Sequence, residues 1–417
     1  MPPATSSTSP CSAPSSTAHG DVCPMNKRIL FINLYFEMGG VETLLLRLIR
    51  ELKAKGFDAT VLLLRKAYDP VLLTELQQHA TVVFLSDVAT PIPSRMRRRL
   101  GADFDYIFVT INYALILGAL LQQFVYRRAH LLAGVYQTEL FCAPVEAGFR
   151  HHQAIRQIFR DGLPDQNKVF GNDAAKAHHE RLLGRAFPQA PVVPLMVDID
   201  KYLPPTRAQV DRHKIVSVGR LCDFKTYNFT MLEVVKSLRA QGHPVTYHIY
   251  GDGPDETRLR AVIAQQGLSE VVVLHGPLDY PRFKEAVSDA LVFVGSGTAV
   301  MEAAACGVPS IAAIEYATAA ETYGFLHEIP GTSFFEPHLP YPRKSISTLI
   351  AQLLAVSPEQ YREVEAASLK RIQPFSPKNV VDVTAKALLQ SSPLRVNGLR
   401  YAVPMLIWRF LSKKFGV

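Results

Sequence analysis

The sequence predicts an α/β protein built from two Rossmann-like domains whose parallel sheets face a central cleft. Three observations carry that expectation. After Met25, short β-branched runs alternate with amphipathic helical patterns, which implies parallel sheets covered on both faces. The alternation runs twice, with a proline-bounded segment, 191–205, between the halves. The 417 residues are enough for two or three cores at roughly 150 residues each. With 48% apolar and 20% charged residues, a disordered or collagenous chain is excluded.

Residues 1–24 stand apart from this pattern. Fourteen of the 24 are Ser, Thr or Pro, and Asp21 is their one charged side chain. Such a stretch cannot bury enough apolar surface to offset its ordering entropy, so disorder is expected. It lacks the basic start and apolar run of a signal peptide, and Met25 is an alternative start. The first domain, 25–195, has strand candidates at 29–34, 59–64, 82–85, 106–109, 131–135 and 168–170. Between the first two, 41–55 reads as a helix with Leu44, Leu45, Leu48 and Leu52 on one face and Gly56 as its stop. The stretch 106–126 carries no charge, but Thr110, Asn112, Gln122 and Gln123 interrupt it. It reads as a buried strand feeding a buried helix, not as a membrane span. The second domain, 196–375, has strand candidates at 215–218, 245–250, 271–274, 291–294 and 310–313. A helix over 376–392 is expected to cross back, followed by a basic amphipathic tail over 393–417.

Ligands of open parallel sheets bind beyond the carboxyl ends of the strands. In the second half four successive strands end in glycine or charge. These ends are Gly219-Arg220 with Lys225, Gly251-Asp252-Gly253-Pro254, His275-Gly276-Pro277, and Gly295-Ser296-Gly297-Thr298 opening a helix through Glu302. The pattern reads as a nucleotide diphosphate site. Gly295 and Gly297 let backbone approach a phosphate, Thr298 is a candidate helix cap, and a helix N-terminus favours anions. Arg220 and Lys225 can stabilise a departing diphosphate. Glu302, one turn into the helix, can accept hydrogen bonds from ribose hydroxyls. Taken singly, each residue reads equally as a turn, a solvated cation or a dipole-favoured carboxylate; their order along one edge favours the joint reading.

The sequence resembles the GT-B retaining glycosyltransferases of the family-four (group 1) type. The matching stretches are Gly39-Gly40-Val41-Glu42-Thr43, Val218-Gly219-Arg220-Leu221 with Lys225, Tyr250-Gly251-Asp252-Gly253-Pro254, and Met301-Glu302-Ala303-Ala304-Ala305-Cys306-Gly307-Val308-Pro309. They span about residues 25–390. The resemblance implies that Arg220 and Lys225 hold the donor diphosphate and Glu302 the ribose. Gly39, Gly40, Gly219, Gly251, His275, Gly295, Ser296, Gly297 and Thr298 would line the donor. It further implies no cofactor and no metal, with a nucleotide-diphosphate sugar as donor substrate and a glycan or lipid-linked acceptor. Two positions depart from the family. Val294 stands where a second glutamate usually contacts the donor sugar. Tyr136-Gln137-Thr138-Glu139 stands where a histidine is common, which leaves Glu139 as an acceptor candidate or a solvated loop carboxylate.

Other chemistries find little support. Asp103 and Asp105 have metal-pair spacing but precede their strand, at the wrong end of the sheet. Asp198 and Asp200 belong to the interdomain segment. The adjacent pairs His151-His152 and His178-His179 point in different directions on a helix. Five unpaired cysteines argue against a disulfide framework and fit a reducing cytoplasm. The +8 charge makes no case for nucleic acid. An anionic membrane surface is an expected partner, because Arg95, Arg97, Arg98 and Arg99 cluster in the first domain. The tail also carries five basic residues and no acidic one, among aromatic and aliphatic side chains. Packing of the tail on the first domain is the competing expectation. The chain is thus expected in the cytoplasm, peripheral at the plasma membrane. A sugar-nucleotide epimerase and a nucleotide-sugar-binding pseudoenzyme are the alternative functions. No first βα turn reads Gly-x-Gly-x-x-Gly, so a redox enzyme is disfavoured.

Overall fold

The computed structural model describes residues 26–37, 39–101, 103–137, 139–142, 150–202 and 209–402. The expectations for 1–24 and for 403–417 lie outside the described residues. The first domain is a six-stranded sheet of β1 (Lys27–Asn33), β2 (Phe57–Leu63), β3 (Ala80–Phe84), β4 (Tyr106–Val109), β5 (His130–Val135) and β6 (Lys168–Phe170). Its order is β3-β2-β1-β4-β5-β6, and every pairing is parallel. Strands predicted from β-branched runs are present, with ends displaced by a residue or two. The helix Gly40–Ala54 buries Leu44, Leu45, Leu48 and Leu52 against the sheet, and Gly56 at φ 82° turns the chain into β2.

The second domain contains β7 (Asp211–Val218), β8 (Thr246–Tyr250), β9 (Val272–Gly276), β10 (Ala290–Gly295), β11 (Ser310–Ala313), β12 (Glu321–Phe325) and β13 (Lys344–Ser345). Their order is β13-β12-β11-β10-β7-β8-β9. The five strands expected from the sequence pair in parallel, and two further edge strands add to them, β12 pairing antiparallel with both β11 and β13. Neither strand has a readable period: β12 contains Gly324 at φ 144°, and β13 is two residues long.

The charge-free stretch 106–126 forms β4 and the helix Asn112–Phe124. Among the described residues no helix is long and apolar enough to cross a membrane. The helix Pro377–Gln390 returns to the first domain, where Val380, Val381, Ala387 and Leu388 join the core beneath Leu45 and Leu48. Beyond it, residues 393–402 follow the competing expectation of packing on the first domain, with Val396 and Ala402 buried. Gln122 donates to the Leu394 carbonyl and accepts from the Val396 amide, while Asn167 exchanges two bonds with Ser392. Two of the polar interruptions in 106–126, Gln122 and Gln123, thus bind this segment.

Candidate active site

Strand order reverses between β1 and β4 in the first sheet and between β7 and β10 in the second. Crevices open at such switch points, beyond the strands' carboxyl ends. The second crevice is built by interlocked backbone. Gly219, Gly251 and Gly253 have φ of 153°, 139° and 149°, and a Cβ on Gly251 or Gly253 would collide with the carbonyl of Gly219 or Leu221. The Gly219 amide donates to Tyr250 and the Leu221 amide to Asp252, which fixes the loops after β7 and β8 together. A Cβ on Gly219 would meet the Lys225 ammonium at 2.7 Å, so the cation lies against the strand end. Burial holds Lys225 below the usual ammonium range, against the pull of Cys222 and Glu315. Arg220 is exposed at the same loop.

Gly295 ends β10, and the buried Ser296 hydroxyl donates to Glu315 Oε1 at 2.8 Å. One sequence expectation is corrected here. Gly297, not Thr298, occupies the cap of the helix Thr298–Ala305, and no side chain caps it. The left-handed φ of 74° at Gly297 turns the chain straight into the helix, which makes Thr298 its first helical residue. Val294 is fully buried and packs in the core among Ile215, Leu291 and Ile311. Strand alternation directs that position away from the crevice.

The first domain meets the second through Arg47 of the helix Gly40–Ala54, which starts at the loop of Gly39 and Gly40. A Cβ on Gly39 would collide with the Glu42 carboxylate, whereas Gly40 has open space. Glu42 is buried and faces Asn33 Nδ2 at 3.4 Å, and Thr110 donates to Asn33 Oδ1 at 3.0 Å. Burial pushes the Glu42 carboxyl up. One turn on, Arg47 Nη2 lies 3.8 Å from Oε1 of the buried Glu302. The exposed Lys201 lies in the same field, its ammonium lowered by burial and supported by Glu302. Sequence reasoning missed Glu42, Arg47, Lys201 and Glu315 as site groups. For Glu42 a signal existed: it shares a helical face with Leu45, Leu46 and Ile49, all buried. A second bridge between the domains joins Asp173 to Thr332. The Asp173 carboxylate accepts from the Thr332 amide at 2.9 Å and its hydroxyl at 2.7 Å, and the Asp173 amide donates back.

Other predicted residues lie farther out. His275 is exposed on edge strand β9, stacked on Tyr250 with ring centroids 4.2 Å apart and 2.9 Å from His248. Glu139 is exposed in a turn after β5, 3.8 Å from His178. Asp105 accepts from Lys27 and the Arg28 amide, and Asp103 pairs with Arg97, so both are engaged at the amino end of the sheet. Among the described residues no group of three His, Cys, Asp or Glu could hold a metal ion.

The decisive stretch runs from the interdomain segment to β12. Residues 198–324 match the family model described as "Glycosyl transferases group 1". The match covers less than a third of the chain and makes this part similar to the group 1 glycosyl transferases. The group 1 stretch contains Arg220, Lys225, Ser296, Glu302 and Glu315. A curated relative, "Putative colanic acid biosynthesis glycosyltransferase WcaL" of Escherichia coli (strain K12), is 33% identical over 131 residues. That match covers 28% of this chain and 32% of the relative, so it spans about a third of the curated protein's length. A glycosyltransferase from Rickettsia africae superposes with a TM-score of 0.64 at 14% identity, covering 88% of this chain and 100% of the other. Anabaena Alr3699/HepE, solved in complex with UDP, superposes at 0.61 with 17% identity, covering 87% and 99%. These likenesses give the fold, a two-domain GT-B architecture.

Proposed function

We propose that this chain is a retaining, metal-independent glycosyltransferase. It moves a sugar from a nucleotide-diphosphate donor to a glycan or glycolipid acceptor in surface polysaccharide biosynthesis. The observation that carries this reading is the Lys225 ammonium lying against the glycine-formed end of β7, within electrostatic reach of Glu315, which binds Ser296 just before the Thr298–Ala305 helix. Fixed cations and free amide groups around one crevice favour the charge that develops on a leaving diphosphate. Arg220 adds a second cation from the same loop, and Glu302 is the ribose-binding carboxylate. With two cations supplied by side chains, leaving-group stabilisation needs no metal, and closure of the two domains excludes water from the transfer. The likeness to WcaL, named for colanic acid biosynthesis, and the UDP bound to Alr3699/HepE support a polysaccharide pathway and a nucleotide donor. Exposed Arg95, Arg98 and Arg99 on the helix Pro93–Leu100 support an anionic membrane surface as partner.

A thermal-shift panel of nucleotide sugars, followed by turnover with the hits before and after exhaustive chelation, tests the reading. Transfer that survives chelation is the expected result. An absolute Mn²⁺ or Mg²⁺ requirement would remove the metal-independent mechanism. Binding without turnover would favour the pseudoenzyme reading that Val294 motivates.

A further inference from the structure

Glu315 follows β11 directly, at the same edge as Ser296 and on the strand next to β10. The main chain fixes it on both sides. The Glu315 amide donates to Phe335, and the next amide, Tyr316, donates to Phe224 in the loop that carries Lys225. Tyr316 adopts φ 58°, the one non-glycine among the described residues in the left-handed region. A bulky residue held in that conformation is costly, and surrounding structure must impose it. One oxygen of the Glu315 carboxylate takes the Ser296 hydroxyl at 2.8 Å; burial pushes the carboxyl up, against the pull of Ser296 and Lys225.

A carboxylate beside a cation that receives a diphosphate works against anion binding. Its proper partner is a hydroxyl-rich group, since an ionised carboxylate is an acceptor only. Room for such a group exists. Glu315 lines a cavity of about 380 Å³ with Tyr316, Thr318, His338 and Arg343. His338 lies within electrostatic reach of His178, which itself stands 3.8 Å from Glu139 of the first domain. The cavity opens at Glu315, whose carboxylate lies within electrostatic reach of Lys225. A sugar attached to a diphosphate at Lys225 would reach toward that carboxylate. We propose that Glu315 accepts hydrogen bonds from hydroxyls of the donor's sugar ring and is the residue that selects the sugar. This assignment rests on the glycosyltransferase reading.

The test compares the parent chain with Glu315→Gln by calorimetry, using UDP, GDP, UDP-glucose, UDP-galactose and GDP-mannose. Removing the charge should leave affinity for the free diphosphates unchanged or tighter, because a repulsive neighbour of Lys225 is gone. Affinity for the matching nucleotide sugar should fall roughly tenfold or more, the worth of one hydrogen bond to a charged group. A purely structural Glu315 would shift both affinities together, and an unchanged ratio of the two overturns the assignment. Glu315→Asp, which keeps the charge but withdraws it by one methylene, should lower the same ratio and covers the case in which Glu315→Gln misfolds. A parent chain that binds none of the five probes overturns the glycosyltransferase reading together with this one.

Discussion

Arg47 reaches from the first domain to within 3.8 Å of the Glu302 carboxylate of the second, and both side chains are largely withdrawn from water. A buried carboxylate is costly without a cation nearby, so this pairing draws the domains together at the group expected to hold the ribose. Arg47→Ala and Glu302→Gln should each lower the melting temperature and weaken UDP or GDP binding. In a double-mutant cycle their losses should depart from additivity by about 0.5–3 kcal/mol. Additive losses in urea titrations would show that the two residues act separately.

Arg220 and Lys225 approach one crevice from one loop, and the Lys225 ammonium lies 2.7 Å from where a Cβ on Gly219 would stand. Loss of either cation should reduce kcat by ~10²–10³ with the fold intact, the usual cost of removing one transition-state donor. Burial lowers the Lys225 ammonium, so its charge is lost at a lower pH than an ordinary lysine's. Turnover should therefore fall early on the alkaline side, and Lys225→Arg should push that limb upward. A pH profile identical in the parent and Lys225→Arg would detach Lys225 from the reaction.

Glu42 is buried beneath Gly39, and its carboxyl is raised mainly by that burial. The unfolded chain therefore releases this proton at lower pH than the folded one. The group weighs nothing against folding below the ordinary carboxylate range, and stability falls as pH rises through the folded pKa. Glu42→Gln keeps a partner for Asn33 and removes the charge. Its urea midpoint should match the parent's near about pH 4 and exceed it at about pH 8. A variant less stable than the parent at both values would mean that the ionised carboxylate stabilises the loop.

Much of this arrangement was legible from periodicity and strand ends. The five parallel strands of the second domain and the six of the first announce themselves through β-branched runs, and the glycines after β7, β8 and β10 mark the crevice. What stayed hidden depends on tertiary approach. Nothing local in the sequence says that Arg47 meets Glu302, which is 255 positions away by subtraction of their numbers. Glu315 reads as a loop carboxylate until Ser296 binds it. The β12–β13 pair escaped notice because a glycine and a two-residue length leave no period to read.

Asp173 opens the helix Asp173–Leu183 and binds Thr332 of the other domain through three hydrogen bonds. Gly331 makes this possible: its φ is 71°, and a Cβ there would meet the Asp173 carboxylate at 2.8 Å. Gly331→Ala should therefore be strained twice, in its own backbone and against Asp173. Asp173→Ala should loosen the domains, raising the donor KM more than it lowers kcat. Unchanged KM in both variants would make this bridge incidental to donor capture.

The carboxyl-terminal residues through 402 dock on the first domain. Upstream, Gln122, Gln123, Asn167 and the Arg127 carbonyl hold 391–399 by paired hydrogen bonds, and Gly398 packs against the helix backbone at Ala119 and Leu120. A side chain at 398 would stand 3.0 Å from that backbone, so the approach is close. Downstream, 403–417 carries Arg409, Lys413 and Lys414 among Trp408, Phe410, Leu411 and Phe415 without an acidic residue. The two parts should separate in a truncation series. Ending the chain at 402 should leave the melting temperature unchanged, whereas ending it at 392 should lower it by exposing Val396, Ala402 and the underlying helix. On acidic vesicles, each basic residue near the surface is worth ~1 kcal/mol, so the three lost beyond 402 should weaken salt-sensitive binding while the fold persists. Sedimentation of the 402 truncation equal to that of the full chain would take the tail out of membrane association. The exposed arginines of Pro93–Leu100 would then be the surface to mutate.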